Sequence, residues 1–258
     1  MILCLDVGNS HIFGGVFDGG KIKLRFRHTS IPHNSSDQIG VFLRQVLREN
    51  DVKHSDISHI AICSVVPKID YSLGSACIKY FNIEPFVLQS GVKTGVKIKC
   101  HNAPEIGADL IASAIAAVHK FPTKNIIVAD LGTATTFVAI DKDKHFLGAT
   151  IMPGMRLSME TLQNNTAKLS AVKIVKATSA LGRNTTTAIQ SGIYFSHLAS
   201  LKMISALIAK ELFNDEPPVI IGTGGFTHLF EKENIFHHVV PDLVLEGLHI
   251  ALVQNMES

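Results

Sequence analysis

The sequence predicts an α/β protein built from two copies of one half, with a cleft between the halves. Three observations carry that prediction. The stretches LDVGNSHIFGGVFDGG (residues 5–20) and ADLGTATTFVAIDKD (residues 129–143) both read Asp, an aliphatic residue, Gly, a small polar residue and then a β-rich run. After each, strand-like and helix-like periodicities alternate, as they do where helices cover a sheet. A chain of 258 residues, 46% hydrophobic and 18% charged, is long and apolar enough to give each half its own core.

MILCLDVG is a buried strand ending at Gly8. IFGGVFD is a second strand, and DGG marks a hairpin turn before KIKLRFRHTS, so the chain opens as an antiparallel meander. SSDQIGVFLRQVLREN places Ile39, Phe42, Leu43, Val46 and Leu47 on one stripe and predicts a helix with Ser35 or Ser36 as N-cap. HIAICSVVP is a strand stopped by Pro67, KIDYSLGSACIKYF a helix and EPFVLQ a strand. A helix then begins near Pro104. Asn102 and Glu105 there suit a capping box, and Leu110, Ile111, Ala114, Ile115 and Val118 form the apolar stripe. The pattern restarts with the strands NIIVADLG, TTFVAID and HFLGATIM. Helices follow, the longest TTTAIQSGIYFSHLASLKMISALIAKELF; then come the strand PVIIGTGG, a short helix and a C-terminal helix through PDLVLEGLHIALVQN. Asp6 matches Asp130 and Gly8 matches Gly132. The division falls near residues 112–122, giving halves 1–115 and 116–258.

A formal net charge of +2 with mixed signs along the chain points to no nucleic-acid partner and no polybasic membrane surface. No uninterrupted apolar run approaches a membrane span, and no basic and apolar leader precedes the first strand. The cysteines at 4, 63, 77 and 100 lack Cys-x-x-Cys spacing, and the first three sit in apolar contexts, so a reducing, cytoplasmic compartment is expected. The thirteen histidines form no His-x-x-x-His pair with a third ligand nearby, so no histidine metal site is expected.

The residues that can carry chemistry cluster at turns. In DVGNSH, Asp6 ends a hydrophobic strand, Gly8 lets backbone approach a ligand closely, and Asn9 and Ser10 add short polar groups. Such a turn cradles phosphate oxygens through backbone N–H groups, and the carboxylate suits a hard cation. An ordinary tight turn with a hydrogen-bonded Asp has the same sequence, and the second copy, DLGTATTF, weighs against that reading. IIGTGGF is a third glycine-rich turn, with neither the Lys-Ser/Thr of a Walker A loop nor the Rossmann spacing. Asp109 lies opposite its helix's apolar stripe. It is either a solvent-facing acid favoured by the helix dipole or a general base at the mouth of the cleft. LGRNTTTAIQSG opens the longest helix with Asn184 or Thr185 as N-cap, and that helix N-terminus is also an anion site.

Six segments in order, DVGNSH, EIGADL, VADLGTATTF, GATIMPG, LGRNTTTAIQSG and IGTGGF, resemble type III pantothenate kinases across essentially the whole chain. These belong to the acetate-kinase, sugar-kinase, Hsp70 and actin superfamily. The resemblance implies two duplicated ribonuclease-H-like α/β halves, the actin-like ATPase fold. It also implies ATP-dependent phosphorylation of pantothenate, a homodimer with sites near its interface, a divalent cation (Mg2+) with ATP, and a monovalent cation (K+ or NH4+). Carried over by position, Asp6, Val7, Gly8, Asn9, Ser10, His11, Ile12 and Phe13 hold ATP phosphates and Thr133 contacts ATP. Gly107, Ala108, Asp109 and Leu110 line the pantothenate pocket with Thr185. Asp109 accepts the proton and Asp130 binds the monovalent cation. Two positions depart from the family pattern: Leu110 stands for an Arg and Cys100 for a Tyr of the substrate pocket. The alternatives are a kinase for another small alcohol and a kinase-like regulatory accessory protein.

Overall fold

The computed structural model describes residues 1–214 and 216–256. β1 (Ile2–Val7) is the middle strand of a five-stranded sheet. It pairs antiparallel with β2 (His11–Asp18), which pairs antiparallel with β3 (Lys21–Thr29). Gly19 and Gly20 take the tight β2–β3 turn with φ of 55° and 79°, a conformation that favours glycine. α1 (Ser36–Arg48) is N-capped by Ser35, with Gln38 completing a capping box. Ile39, Leu43 and Leu47 are buried beneath it, and Phe42 and Val46 pack on the same core. β4 (His59–Ser64) returns parallel to β1, bringing Cys63 opposite Asp6. Pro67 opens α2 (Pro67–Phe81), and β5 (Phe86–Val87) closes the sheet in the order β3-β2-β1-β4-β5.

β6 (Lys97–Ile98) joins the second sheet, and α3 (Ala108–Lys120) follows. The helix expected from Pro104 instead begins at Ala108, after a 3-10 turn over Ala103–Glu105. The Gly107 carbonyl takes the first helical N–H groups, those of Leu110 and Ile111, at 3.1 and 3.2 Å. Then come β7 (Ile126–Leu131), β8 (Ala134–Ile140), β9 (His145–Pro153), α4 (Met155–Asn164), α5 (Thr185–Leu212), β10 (Val219–Thr223), β11 (His238–Val239) and α6 (Leu243–Met256). The second sheet runs β11-β10-β7-β8-β9-β6. Apart from β6, this is the first sheet repeated. Three antiparallel strands form a meander, and a parallel strand lies on the far side of the first. The duplication expected from the two Asp-x-Gly stretches is therefore present at the level of strand order.

The chain forms two compact units. One comprises Met1–Gly95, His101–Ala116 and the segment from Leu243; the other comprises Val96–Cys100 and Ala117–Asp242. In the first, α6 packs on β1, β2 and β4. In the second, Ile127, Phe137, Tyr194, Leu201 and Phe230 are core residues. α5 is long and apolar enough to cross a membrane by length and mean hydropathy, although Gln190, Ser191, Ser196, His197 and Lys202 interrupt it. Its Ile189, Ile193, Tyr194 and Leu201 are buried in that core. Asp141, Asp143 and His145, in the β8–β9 hairpin, lie close enough to share an ion. The Asp141 carboxylate, however, already accepts from the N–H groups of Asp143 and His145 and contacts His145 Nδ1 at 2.8 Å, which accounts for the cluster as a turn.

Candidate active site

In the first unit, the functional groups gather where β1 and β4 end. Gly8 follows β1 and donates its N–H to the His11 carbonyl at 3.0 Å, closing the turn before β2. Ser30, just past β3, braces the same turn. Its hydroxyl donates to the Gly8 carbonyl at 2.6 Å, and its N–H to the Ser10 carbonyl at 3.0 Å. Three carbonyls of the turn thus accept from protein donors, one of them the N–H of Gly8 itself. Asn9 is exposed, Ser10 and His11 are half-buried, and the Arg27 guanidinium lies 4.6 Å above the Phe13 ring centroid. Ile12 and Val7 are buried and hold the turn to the core. Ser30 escaped the sequence reading because it lies in a later segment; the polar TSIPHNSS run that follows the strand was its only signal.

Asp109 stands in the first turn of α3, and it is not the solvent-facing acid its position opposite the stripe allowed. Burial pushes its carboxyl pKa up, against the opposing effect of the Leu110 and Asp109 N–H groups. Oδ1 accepts the Leu110 N–H at 2.8 Å. A Cβ on Gly107 would overlap that oxygen, with Val65 Cγ1 next at 3.5 Å. A side chain at Gly107 would therefore have to push the carboxylate end aside, and the nearness of Val65 sets α3's first turn beside the end of β4. Cys63 is fully buried there, and the charges of both Asp6 and Asp109 add to the burial that raises its thiol pKa. The thiol thus senses two carboxylates brought to one end of one sheet. Ala108 is half-buried, and Leu110, 8% exposed, belongs to the interior.

The second turn also closes through its glycine N–H but is one residue shorter. The Gly132 N–H donates to the Ala134 carbonyl at 3.1 Å, and Asp130, next to last in β7, lies opposite Thr136. Two further glycines close on it. Gly224, at φ 89°, lies so near that a Cβ would overlap the Asp130 carboxylate and reach Leu131 backbone at 2.6 Å. The Phe226 N–H donates to the Leu131 carbonyl at 3.2 Å. Gly154, at the end of β9, rests on the carbonyls of Gly132 and Thr133. Carboxylate and carbonyl oxygens are hard donors suited to an alkali cation, and short hydroxyls such as that of exposed Thr133 suit a phosphate. Thr185 is exposed in the first turn of α5, where Asn184 is the N-cap and accepts the Thr187 N–H at 2.9 Å. That helix start offers N–H groups to an anion. In Cys100 the thiol is half-buried.

The family model described as type III pantothenate kinase matches residues 2–208. A curated type III pantothenate kinase of Legionella pneumophila (strain Corby) is 57% identical over 255 residues, covering 99% of each chain. Another, type III pantothenate kinase 1 of Francisella tularensis subsp. holarctica (strain OSU18), is 47% identical and covers 99% of this chain and all of its own. Among solved structures, a putative 2-dehydro-3-deoxygalactonokinase from Sinorhizobium meliloti superposes with a TM-score of 0.56 at 12% identity, covering 98% of this chain and 99% of its own. At that identity the likeness speaks for the fold alone, that of the sugar kinases and actin-like ATPases.

Proposed function

The chain belongs to the type III pantothenate kinase family and phosphorylates pantothenate with ATP on the way to coenzyme A; we propose that Asp109 is its proton acceptor and that the turn from Asp6 to Phe13 holds the ATP phosphates. The observation that carries this reading is the half-buried Asp109 carboxylate, whose charge, with that of Asp6, bears on Cys63, the β4 residue paired with Asp6. In this mechanism the primary hydroxyl of pantothenate attacks the γ-phosphorus in line. The new O–P bond forms as the bond to the β-phosphate oxygen breaks, ADP departs, and the hydroxyl proton passes to Asp109. A carboxyl whose pKa is raised toward the working pH is the better acceptor, and a positioned base contributes about 10²–10⁴-fold. Positioning and charge neutralisation supply most of the rest.

Gly107, Ala108 and Leu110 line the pantothenate pocket with Thr185. Thr133 contacts ATP and Asp130 holds a monovalent cation, K+ or NH4+. Asp6 is the candidate partner of the Mg2+ that accompanies ATP, and the ion when bound neutralises developing charge on the phosphates. The donor types support these roles: carboxylates at Asp6 and Asp130, and at Gly132 and Thr133 a turn that closes with no side chain on its glycine. The chain is read as a homodimer, and exposed Ile151 on β9, Leu157 on α4, and Met203 and Leu207 on α5 are apolar side chains that an interface would cover. Four free cysteines, three of them buried, support a cytoplasmic setting.

The test is ATP-to-ADP turnover with pantothenate in potassium and then in sodium buffer, with 4′-phosphopantothenate identified by mass. Pantothenate-dependent product formed faster in potassium is expected. Equal rates in the two buffers would remove the monovalent cation from Asp130.

A further inference from the structure

GATIMPG, which closes β9, has no part in the chemistry above, yet its last residue touches the second Asp-x-Gly turn. Gly154 donates its N–H to the Thr133 carbonyl at 3.1 Å. A Cβ there would overlap the Thr133 carbonyl oxygen, lie 2.5 Å from that of Gly132 and reach Thr133 carbonyl carbon at 2.9 Å. These are backbone atoms, which cannot swing aside as a side-chain end can. The φ of Gly154 is −73°, a value open to every residue, and as N-cap of α4 the position would take Ser, Asp or Asn at least as well. Neither conformation nor capping calls for glycine; only the close approach to the turn does.

The junction is also held from behind. Pro153 is the β9 partner of Ala134, the residue that follows Thr133. His197 of α5 is buried, with one ring nitrogen 2.9 Å from the Ile193 carbonyl oxygen and the other 3.3 Å from that of Pro153. α4 begins directly after Gly154, and its Met155 is buried in the core. The turn from Gly132 to Thr133 therefore does not take its shape from its own residues alone. A backbone surface, fixed by a strand, a helix start and a buried imidazole, is pressed against its carbonyls.

We propose that Gly154 is a positioning residue that fixes the Gly132–Thr133 turn in the shape that receives ATP. The proposal rests on the reading that Thr133 contacts ATP. An added methyl forces the two carbonyls to retreat by roughly 0.5–1 Å, and displacements of that size cost up to about 10²-fold at a site that depends on position.

The test is steady-state kinetics with ATP and pantothenate varied separately, for wild type, Gly154→Ala, Gly148→Ala, His197→Gln and Thr133→Ala. Gly148 lies on the same strand with nothing within 4 Å of an added Cβ, so Gly148→Ala should match wild type. Gly154→Ala should raise the KM for ATP about tenfold or more and leave the KM for pantothenate within about twofold, a split that a loss of fold stability alone does not produce. His197→Gln, which loosens the support and leaves the turn's own atoms in place, should raise the KM for ATP about threefold, and it carries the test if Gly154→Ala does not fold. An unchanged KM for ATP in a folded Gly154→Ala protein, or in His197→Gln if that is the variant in hand, overturns the proposal. If Thr133→Ala raises the KM for ATP and Gly154→Ala does not, the positioning role falls and the Thr133 contact stands. If neither raises it, the Thr133 reading falls and takes the positioning role with it.

Discussion

Replacing Gly107 with alanine adds one methyl group against the Asp109 carboxylate and little else. The new Cβ would overlap Oδ1 while sitting 3.6 Å from Asp109 Cγ and 3.5 Å from Val65 Cγ1, both ordinary contacts. Gly107 is not among the residues with positive φ, so alanine meets no backbone strain there. The one group that has to yield is the carboxylate, which must swing aside by roughly 1 Å and give up the 2.8 Å bond from the Leu110 N–H. A proton acceptor displaced by about 1 Å loses on the order of 10²-fold in rate. The measurement is kcat at saturating ATP and pantothenate, with the KM for ATP and the thermal midpoint as references for binding and fold. The expected result is a kcat lower by about 10²-fold, with the KM for ATP within about twofold. A kcat within about threefold of wild type in a folded protein would refute the idea that the placement of this carboxylate governs the reaction.

Asp6→Ala should impair ATP use more than pantothenate use, read as a larger change in the KM for ATP; unchanged ATP kinetics would undo the role of the first turn. The raised pKa of Asp109 also has a stability consequence. Because the folded value lies above the ordinary 3.8, the favourable protonated state is fully present below 3.8, and its contribution is lost as pH rises through the folded value. Asp109→Asn has no charge to bury, so denaturant titrations should find it more stable than wild type at neutral pH, with the gap closing as pH falls toward 3.8. A variant equally or less stable at neutral pH would contradict the burial account. Cys4, Cys63 and Cys77 are buried and burial raises their thiol pKa values, so a thiol-reactive dye should label Cys100 first in the folded protein and all four cysteines only on denaturation. Rapid labelling of Cys63 would mean that the end of β4 is open to solvent.

The sequence reveals the duplication because each copy carries its own punctuation. An acid and a glycine separate two β-rich runs, and strand periodicity then does the rest. The N-caps of α1 and α5 are legible to within one residue, Ser35 or Ser36 and Asn184 or Thr185, because the signal is local; the structure takes Ser35 and Asn184. β6 and β11 are not legible: each is two residues long and is a strand only because a neighbour pairs with it. The start of α3 is misplaced at Pro104 because Asn102 and Glu105 imitate a cap, whereas the carbonyl that opens the helix belongs to Gly107. Helical periodicity put Asp109 on the outer face, yet it is only half-exposed, and its neighbour Gly107 sits beside Val65, 42 positions earlier and outside any local window. Gly224 declares itself by its turn motif, and the structure gives it a positive φ. Gly154, in an unremarkable conformation, shows its purpose only through what touches it.

The account's central claim is that a half-buried carboxylate on α3, Asp109, takes the proton of the pantothenate hydroxyl. The most direct test is 4′-phosphopantothenate formation by Asp109→Asn, with pantothenate binding measured in parallel by calorimetry. The account predicts a kcat lower by about 10²–10⁴-fold with pantothenate affinity retained. Near-normal turnover by the Asn variant would contradict it.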